Sequence, residues 1–214
     1  MTRHRDVRLV LASASPARLA TLRSAGLRPD VVVSGVDESR VQADTVAELT
    51  GRLARLKAEA VAALLPASPA ATLVVGCDSL LELDGTGHGK PGTAEGAVER
   101  WRRMRGRSGI LHTGHHVLLV EGAGSRTAAA VASTTVHFAD LADDEVDAYV
   151  ATGEPLQVAG SFTVDGLGGA FVRGIEGDHH NVVGISLPLL RELVAELGIA
   201  WPSLWASSAP RANP

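Results

Sequence analysis

The sequence predicts an α/β fold built on a mixed β-sheet, and three observations predict it. VRLVLAS (Val7 to Ser13) is a nearly continuous apolar run, the pattern of a strand buried on both faces. Strand-like and helix-like segments alternate over the first part of the chain. Two long strand-like segments, Ile110 to Val120 and Ala128 to Phe138, then follow each other across the turn EGAGS, as in a β-hairpin.

Each element has a local reason. The first strand gives way at SASP, where Pro16 suits the first turn of a helix running to about Ala25 and ended by Gly26. Pro29 opens a second short strand, Asp30 to Gly35. Val46 to Leu65 reads as a long amphipathic helix, with Leu49, Leu53, Leu56, Ala60 and Leu64 on one stripe and Pro66 as its stop. Thr72 to Gly76 is a further buried strand, which the chain leaves through CDS into a hairpin-like LLELDGTG. Thr93 to Met104 is helical, Asp143 caps a helix that ends at Gly153, and Ser186 to Leu197 forms a final helix. Gly160 to Gly177 is too rich in glycine to assign. From Trp201 onward, Pro, Ser and Ala predict a loose tail.

Composition narrows the function classes. At 214 residues the chain holds one domain or two merged lobes. A hydrophobic share of 45% and a mean hydropathy of +0.14 support a full-sized core and argue against disorder. With only 3% aromatics, that core is mostly Ala, Val and Leu. The balance of 20 basic and 24 acidic residues, net −4, argues against a protein that coats nucleic acid or anionic membrane by bulk charge. Cys77 stands alone, so no internal disulfide forms and a reducing compartment is expected. No apolar run approaches the ~18 residues that span a bilayer, and VRLVLA is too short, and carries Arg8, to be a signal sequence. A cytoplasmic enzyme that engages neither membrane nor nucleic acid is the expectation.

Four constellations carry candidate chemistry. In SASPAR, a strand ending in small hydroxyl residues feeds a helix start, which suits a phosphate; Ser13 and Ser15 add donors, and Arg18 offers a forked pair. Read alone, the same segment is also an ordinary helix cap with a solvated arginine. GVDES (Gly35 to Ser39) sets two adjacent carboxylates after a strand, either a divalent-cation site or a solvated loop. Asp78, in CDS, sits at the end of a strand that reads as buried, where a carboxylate is costly unless paired or metal-bound. Lys57 and Lys90 are the only lysines beside eighteen arginines, and a lysine is a compact point charge for a phosphate. HTGHH is not a metal motif, since His112 and His116 in a strand stand about 13 Å apart. RWRRMRGR (Arg100 to Arg107) reads as the cationic end of a helix rather than an RNA patch.

Taken in order, LASASPARLATL, VDES, LARLKAEAV, VVGCDSLLELDG, GKP, MRGRS, HTG, STTVHF, YVATGEPLQVAGSF, GLGGAFVRGIEGD and NVVGISLP resemble the Maf family of nucleoside triphosphate pyrophosphatases, from Leu9 to about Leu197. The resemblance implies a Maf/inosine-triphosphatase-like α/β fold: an elongated mixed sheet with flanking helices and a nucleotide cleft between two lobes. Residues 1–200 are then expected to form a single Maf-like domain of two merged lobes, with the compositionally loose tail over 201–214 outside it. It also implies cleavage between the α- and β-phosphates with a divalent metal, Mg²⁺ or Mn²⁺, giving nucleoside monophosphate and pyrophosphate. Carried over residue by residue, Asp78 is the proton acceptor, with a claim as metal ligand beside Glu38. Ser13, Ser15, Arg18, Lys57 and Lys90 bind phosphate, and Gln157 binds substrate. A homodimer is the family's habit. A second reading, named for the family's role in septum formation, is a nucleotide-binding regulator without turnover.

The sequence departs from the family pattern at several positions. Ala17 stands where many members have Arg, Leu19 where Lys or Gln is common, and Gly109 replaces a frequent His. Val158 replaces the Lys of the K-A-G-[AS]-Y form that marks the branch resembling dTTP/UTP pyrophosphatases. QVAGSF followed by GLG is closer to the branch described for 7-methyl-GTP, so a non-canonical or modified nucleotide is expected ahead of dTTP or UTP.

Overall fold

In the computed structural model, residues 7–66 and 68–206 are described. A mixed sheet of seven strands carries the fold: β1 (Val7–Leu11), β2 (Asp30–Val31), β3 (Ala71–Leu83), β4 (Thr86–His88), β5 (Ser108–Glu121), β6 (Gly124–Phe138) and β7 (Val172–Glu176). Their order is β2-β1-β3-β5-β6-β7, with β4 on the same edge of β3 as β1. β1 runs parallel to β2 and β3, and the remaining pairings are antiparallel. The flanking helices are α1 (Pro16–Ser24), α2 (Val46–Leu64), α3 (Ala94–Met104), α4 (Asp143–Ala151), α5 (His179–Val183), α6 (Leu187–Glu196) and α7 (Trp201–Ala206). No described helix is long and apolar enough to cross a membrane.

The sheet faces follow from strand alternation. Leu73, Val75 and Cys77 of β3 join Leu11, Leu22, Val117, Leu190 and Leu193 in one core under α1 and α6. Further along the same face, Leu81 and Leu83 join Trp101, Phe138, Val146 and Phe162 in a second core under α3 and α4. Ser79 lies between the two. On the opposite face, Val10, Val74 and Leu118 pack against Ala58 and Val61 of α2.

α2 lies so close to that face that two strand positions have no room for a side chain. A Cβ at Gly76 would stand 2.3 Å from the Ala54 carbonyl oxygen, and one at Gly114 would stand 2.2 Å from that of Thr50. Gly114 is the register partner of Asp78. This contact between helix and strand backbones fixes the height of every α2 side chain above β3.

Three elements correct the sequence reading. The strand expected to end at Gly76 continues through Asp78 to Leu83, because β5 pairs with it residue for residue from Thr72 to Glu82; its polar side chains interrupt the apolar run but not the ladder. The second strand is two residues long rather than six, since β1 stops at Leu11 and offers only one further bond, from the Val32 N–H to the Leu11 carbonyl. The tail expected to be loose from Trp201 is helical over its first six residues: Leu204 is buried, the Trp205 indole donates to the Ala25 carbonyl at 2.9 Å, and Pro202 sits in the first turn, where no N–H is needed. Residues 207–214 of that expectation lie outside the described residues.

Gly114→Ala tests the close approach. It should lower unfolding stability by about 1–3 kcal/mol in urea titration. Gly124→Ala, whose Cβ would meet its nearest neighbour at 3.7 Å, should be near neutral.

Candidate active site

The parallel pairing of β1 with β3 ends at Val75, and β4 joins the same edge only from Leu81. Residues 76–80 therefore present an edge with no strand beside it among the described residues. Such a break beyond the carboxyl end of parallel strands is where α/β sheets receive ligands. Arg18 of α1 fills part of it. Nη1 donates to the Cys77 carbonyl (2.9 Å) and to Ser13 Oγ (3.0 Å), Nη2 to Ser79 Oγ (2.9 Å), and Nε to the Gly184 carbonyl (2.7 Å). Four of the five guanidinium N–H groups are thus engaged, and one on Nη2 remains. The solvated arginine of the capping alternative is not what the structure shows: Arg18 is 8% exposed and holds the rim of the gap together.

The serine turn is built as its sequence suggests. Ser15 is the N-cap of α1, its Oγ accepting from the Arg18 N–H at 3.4 Å, while Ser13 Oγ accepts from the Ser15 N–H at 3.2 Å. Both hydroxyls face inward to the turn, and Pro16 at the first helical position needs no N–H partner.

Asp78 projects on the α2 face. Lys57 extends from α2 over it, and its Nζ stands 2.5 Å from Asp78 Oδ1 and 3.0 Å from Glu38 Oε1. The Lys57 and Asp78 side chains are nearly buried, whereas Glu38 is about half exposed on the loop before α2. Burial pushes the Asp78 carboxyl above the usual carboxylate range; Lys57 and Arg18 oppose that rise and Glu38 adds to it. The position is mid-strand, not strand-terminal as the sequence suggested, so its backbone is held by β5.

Lys90 and Gln157 are placed less directly. The β3–β4 pairing ends at Leu81 with His88, and a Cβ at Gly89 would lie 3.5 Å from Leu80 Cδ2, so the chain passes Leu80 of the open edge just before Lys90. Lys90 is exposed and has no hydrogen-bond or ion-pair partner among the described residues. Gln157 is exposed on the 3-10 turn Glu154–Gln157, and no side-chain bond draws it to Asp78. The stretch that carries it meets the Lys90 loop through the Gly160 N–H, which donates to the Gly89 carbonyl at 3.2 Å.

Sequence reasoning missed a polar layer behind the gap, between the two cores. Ser79 Oγ bonds Thr113 Oγ1 at 2.9 Å, and Thr113 Oγ1 also reaches the Asn181 carbonyl at 3.3 Å. His115 takes the Ser186 N–H on Nε2 (2.9 Å), so its proton sits on Nδ1 and bonds the Thr113 carbonyl (2.9 Å). Burial lowers the His115 pKa to about 4. Glu154 is a second missed organiser, accepting from Tyr149 Oη, Thr163 Oγ1 and the Leu167 and Gly168 N–H groups at 2.6–3.0 Å. The motifs HTG, NVVGIS and GEP were the available signal for these residues, but their spacing alone assigns no role.

Residues 8–197 match the Maf-like protein family. The chain belongs to that family. It is 58% identical to the nucleoside triphosphate pyrophosphatase of Salinispora tropica, over 97% of this chain and 96% of that one. It is 57% identical to the nucleoside triphosphate pyrophosphatase of Streptomyces coelicolor, over 93% and 95% of the two chains. Among solved structures, the Ham1 protein of Staphylococcus aureus is similar over 62% of this chain and 72% of that chain, with 19% identity and a TM-score of 0.39.

The neutral His115 gives a pH test. Its folded pKa of about 4 lies below the ordinary 6.5, so the unfolded chain takes the proton first as pH falls. The stability this residue contributes is complete above pH 6.5 and is lost towards pH 4, in total about 3 kcal/mol. His115→Gln keeps an acceptor for Ser186 and does not titrate. Its urea midpoint should fall less steeply than the parent's between pH 6.5 and 4.

Proposed function

We propose that this chain hydrolyses nucleoside triphosphates between the α- and β-phosphates, releasing nucleoside monophosphate and pyrophosphate. One observation carries the reading. A nearly buried aspartate, more basic than usual, is held against a lysine beside an open strand edge lined by a serine turn and an arginine. The relatives bearing the pyrophosphatase name support the same reaction.

Charge and proton transfer divide the work. A triphosphate brings several negative charges, and attack by water requires them to be offset before and during the transition state. Lys57 and Lys90 supply cations, and Arg18 supplies one N–H together with its field. Ser13 and Ser15 shape the start of α1, whose positive end favours phosphate. Asp78 accepts the proton of the attacking water, a task suited to a carboxyl group raised toward neutrality.

The donor set also suits a divalent cation. Glu38 and Asp78 already share one ammonium, and no group of three or more His, Cys, Asp or Glu able to hold a metal occurs among the described residues. Two carboxylates completed by phosphate oxygens and water match the habit of Mg²⁺, and of Mn²⁺, at phosphate sites. Such an ion would neutralise phosphate charge. Lys57, resting between both carboxylates, would then turn toward the phosphates.

Val158, in place of the lysine of the dTTP/UTP form, supports a modified or non-canonical base as the preferred substrate. No observation favours a regulator without turnover, because mere binding gives no task to a carboxyl group placed for proton transfer.

Asp78→Asn should lower kcat by about 10²–10⁴-fold with circular dichroism unchanged. Separate assays of pyrophosphate and orthophosphate check the bond cleaved, and orthophosphate alone would overturn the assignment. Lys57→Met removes the main charge holding the Asp78 carboxyl down, so the acidic limb of the kcat/KM–pH profile should move to higher pH. An unmoved limb would remove Asp78 as the titrating base.

A further inference from the structure

The arginine-rich end of α3 is engaged within the fold. Arg102 and Arg105 reach Asp143 at 3.3 and 2.6 Å, and Arg107 reaches Asp84 at 2.6 Å. Arg100 turns instead toward the site. Its Nη1 donates to the Gly89 carbonyl at 2.5 Å and to Ser161 Oγ at 2.9 Å. The next residue, fully buried Trp101, donates from its indole to the Ser161 carbonyl at 2.8 Å.

What these bonds hold is unusual. Ser161 has φ +62°, a left-handed conformation that costs a non-glycine residue on the order of 1 kcal/mol or more. It is fully buried, and the preceding Gly160 is so close to β3 that its Cβ would stand 2.9 Å from Leu81 Cβ. Backbone held out of its preferred region persists where its surroundings over-determine it, and such places cluster at functional sites. Here three donors, from Arg100, Trp101 and Gly160, bear on two carbonyls, and one of those carbonyls immediately precedes Lys90.

We propose that Arg100 and the left-handed Ser161 form a clamp that positions Lys90, fixing Gly89 so that the Lys90 ammonium is delivered to the open edge of β3. Arg100 then governs triphosphate affinity through Lys90 without touching the substrate. It is a positioning residue, not a catalytic one. The inference rests on the phosphate-binding role given to Lys90 above. Lys90 has no protein partner of its own among the described residues, so its direction is set by the backbone it leaves. That backbone is set from α3 and from the Val158–Ser161 segment, which joins Lys90 to the stretch bearing Gln157.

A double-mutant cycle of Arg100→Met and Lys90→Ala tests it, using pyrophosphate release from the triphosphate that the parent protein turns over fastest. Each single variant should lower kcat/KM by about tenfold, mainly through KM, and the double variant should be no worse than Lys90→Ala alone. Inhibition by the monophosphate product, which lacks the β- and γ-phosphates, should be unchanged in Arg100→Met. Additive effects in the cycle, or equal weakening of monophosphate and triphosphate, would overturn the clamp while leaving the hydrolase reading intact. A Lys90→Ala variant with parental KM would overturn the phosphate role of Lys90 and the clamp with it. No pyrophosphate release by the parent protein would instead overturn the hydrolase reading. If Arg100→Met does not fold, Arg100→Lys and Ser161→Ala each weaken part of the clamp. They should give smaller KM increases that again vanish in the Lys90→Ala background, and increases that persist there would count against the proposal.

Discussion

The approach of α2 to the backbone of β3 and β5 governs the site. At Gly76 and Gly114 no side chain separates helix from sheet, and the helix settles to backbone contact at Ala54 and Thr50. From that height Lys57, one turn beyond Ala54, reaches Asp78 at 2.5 Å. A lysine raised by even one side-chain layer would leave the aspartate buried and uncompensated, a state that costs several kcal/mol. The two glycines and the ion pair are therefore one construction. Burying such a pair gains little stability over an apolar pair of the same volume. Its presence in the middle of a sheet is better explained by the reaction than by the fold.

Arg18 solves a complementary problem on the other side of the strand. Where β1 ends, β3 has an edge whose carbonyls need donors, and the guanidinium supplies one to Cys77 while tying in Ser13, Ser79 and the Gly184 carbonyl. A strand there would have closed the edge and left no entry for a polyanion. A charged side chain satisfies the edge, keeps one N–H available, and places a positive field beside Asp78. The same group that completes the fold thus conditions the chemistry.

Much of this was legible in the sequence, for identifiable reasons. The span of the Val46–Leu65 helix, the hairpin of β5 and β6 and the capped start of α1 follow from local periodicity and capping, and the structure has them nearly as expected. The buried face of the helix, however, is Val46, Thr50, Leu53, Ala54, Ala58 and Val61 rather than the predicted leucine stripe, because close contact with Gly76 and Gly114 selects small side chains and leaves Leu64 exposed. Asp78, Lys57 and Glu38 stood out as a carboxylate in a buried run, a rare lysine and a paired acid, and they converge. What local pattern could not give depended on partners far along the chain. β3 passes through Asp78 because β5 pairs with it, and apolar periodicity is blind to such pairing. Arg18 looked like a free phosphate hand because Cys77 and Gly184, which capture it, lie 59 and 166 residues away. Gly160 to Gly177 gave no pattern because its order comes from Glu154 and from α3, not from itself.

The strands that carry the site also bind the two apolar cores into one sheet. β3 and β5 contribute Leu73, Val75, Val117 and Leu119 to the first core, and Leu81, Leu83 and Leu111 to the second. Between them runs the layer of Ser79, Thr113, His115 and Asn181, whose hydrogen bonds replace apolar contact. Because the ladder is unbroken through this layer, Asp78 and the Ser79 floor are fixed by strand pairing, not by how the cores pack. Adjustment to a bound molecule therefore falls to exposed segments attached to that frame, the Glu38 loop and the turn bearing Gln157, whereas Gly89 before Lys90 is held by Arg100 and Gly160. Glu38 and Gln157 are both exposed to solvent. The sheet thus holds the Asp78–Lys57 pair at a constant place, and accommodation of a bound molecule is left to the exposed loops at its margin.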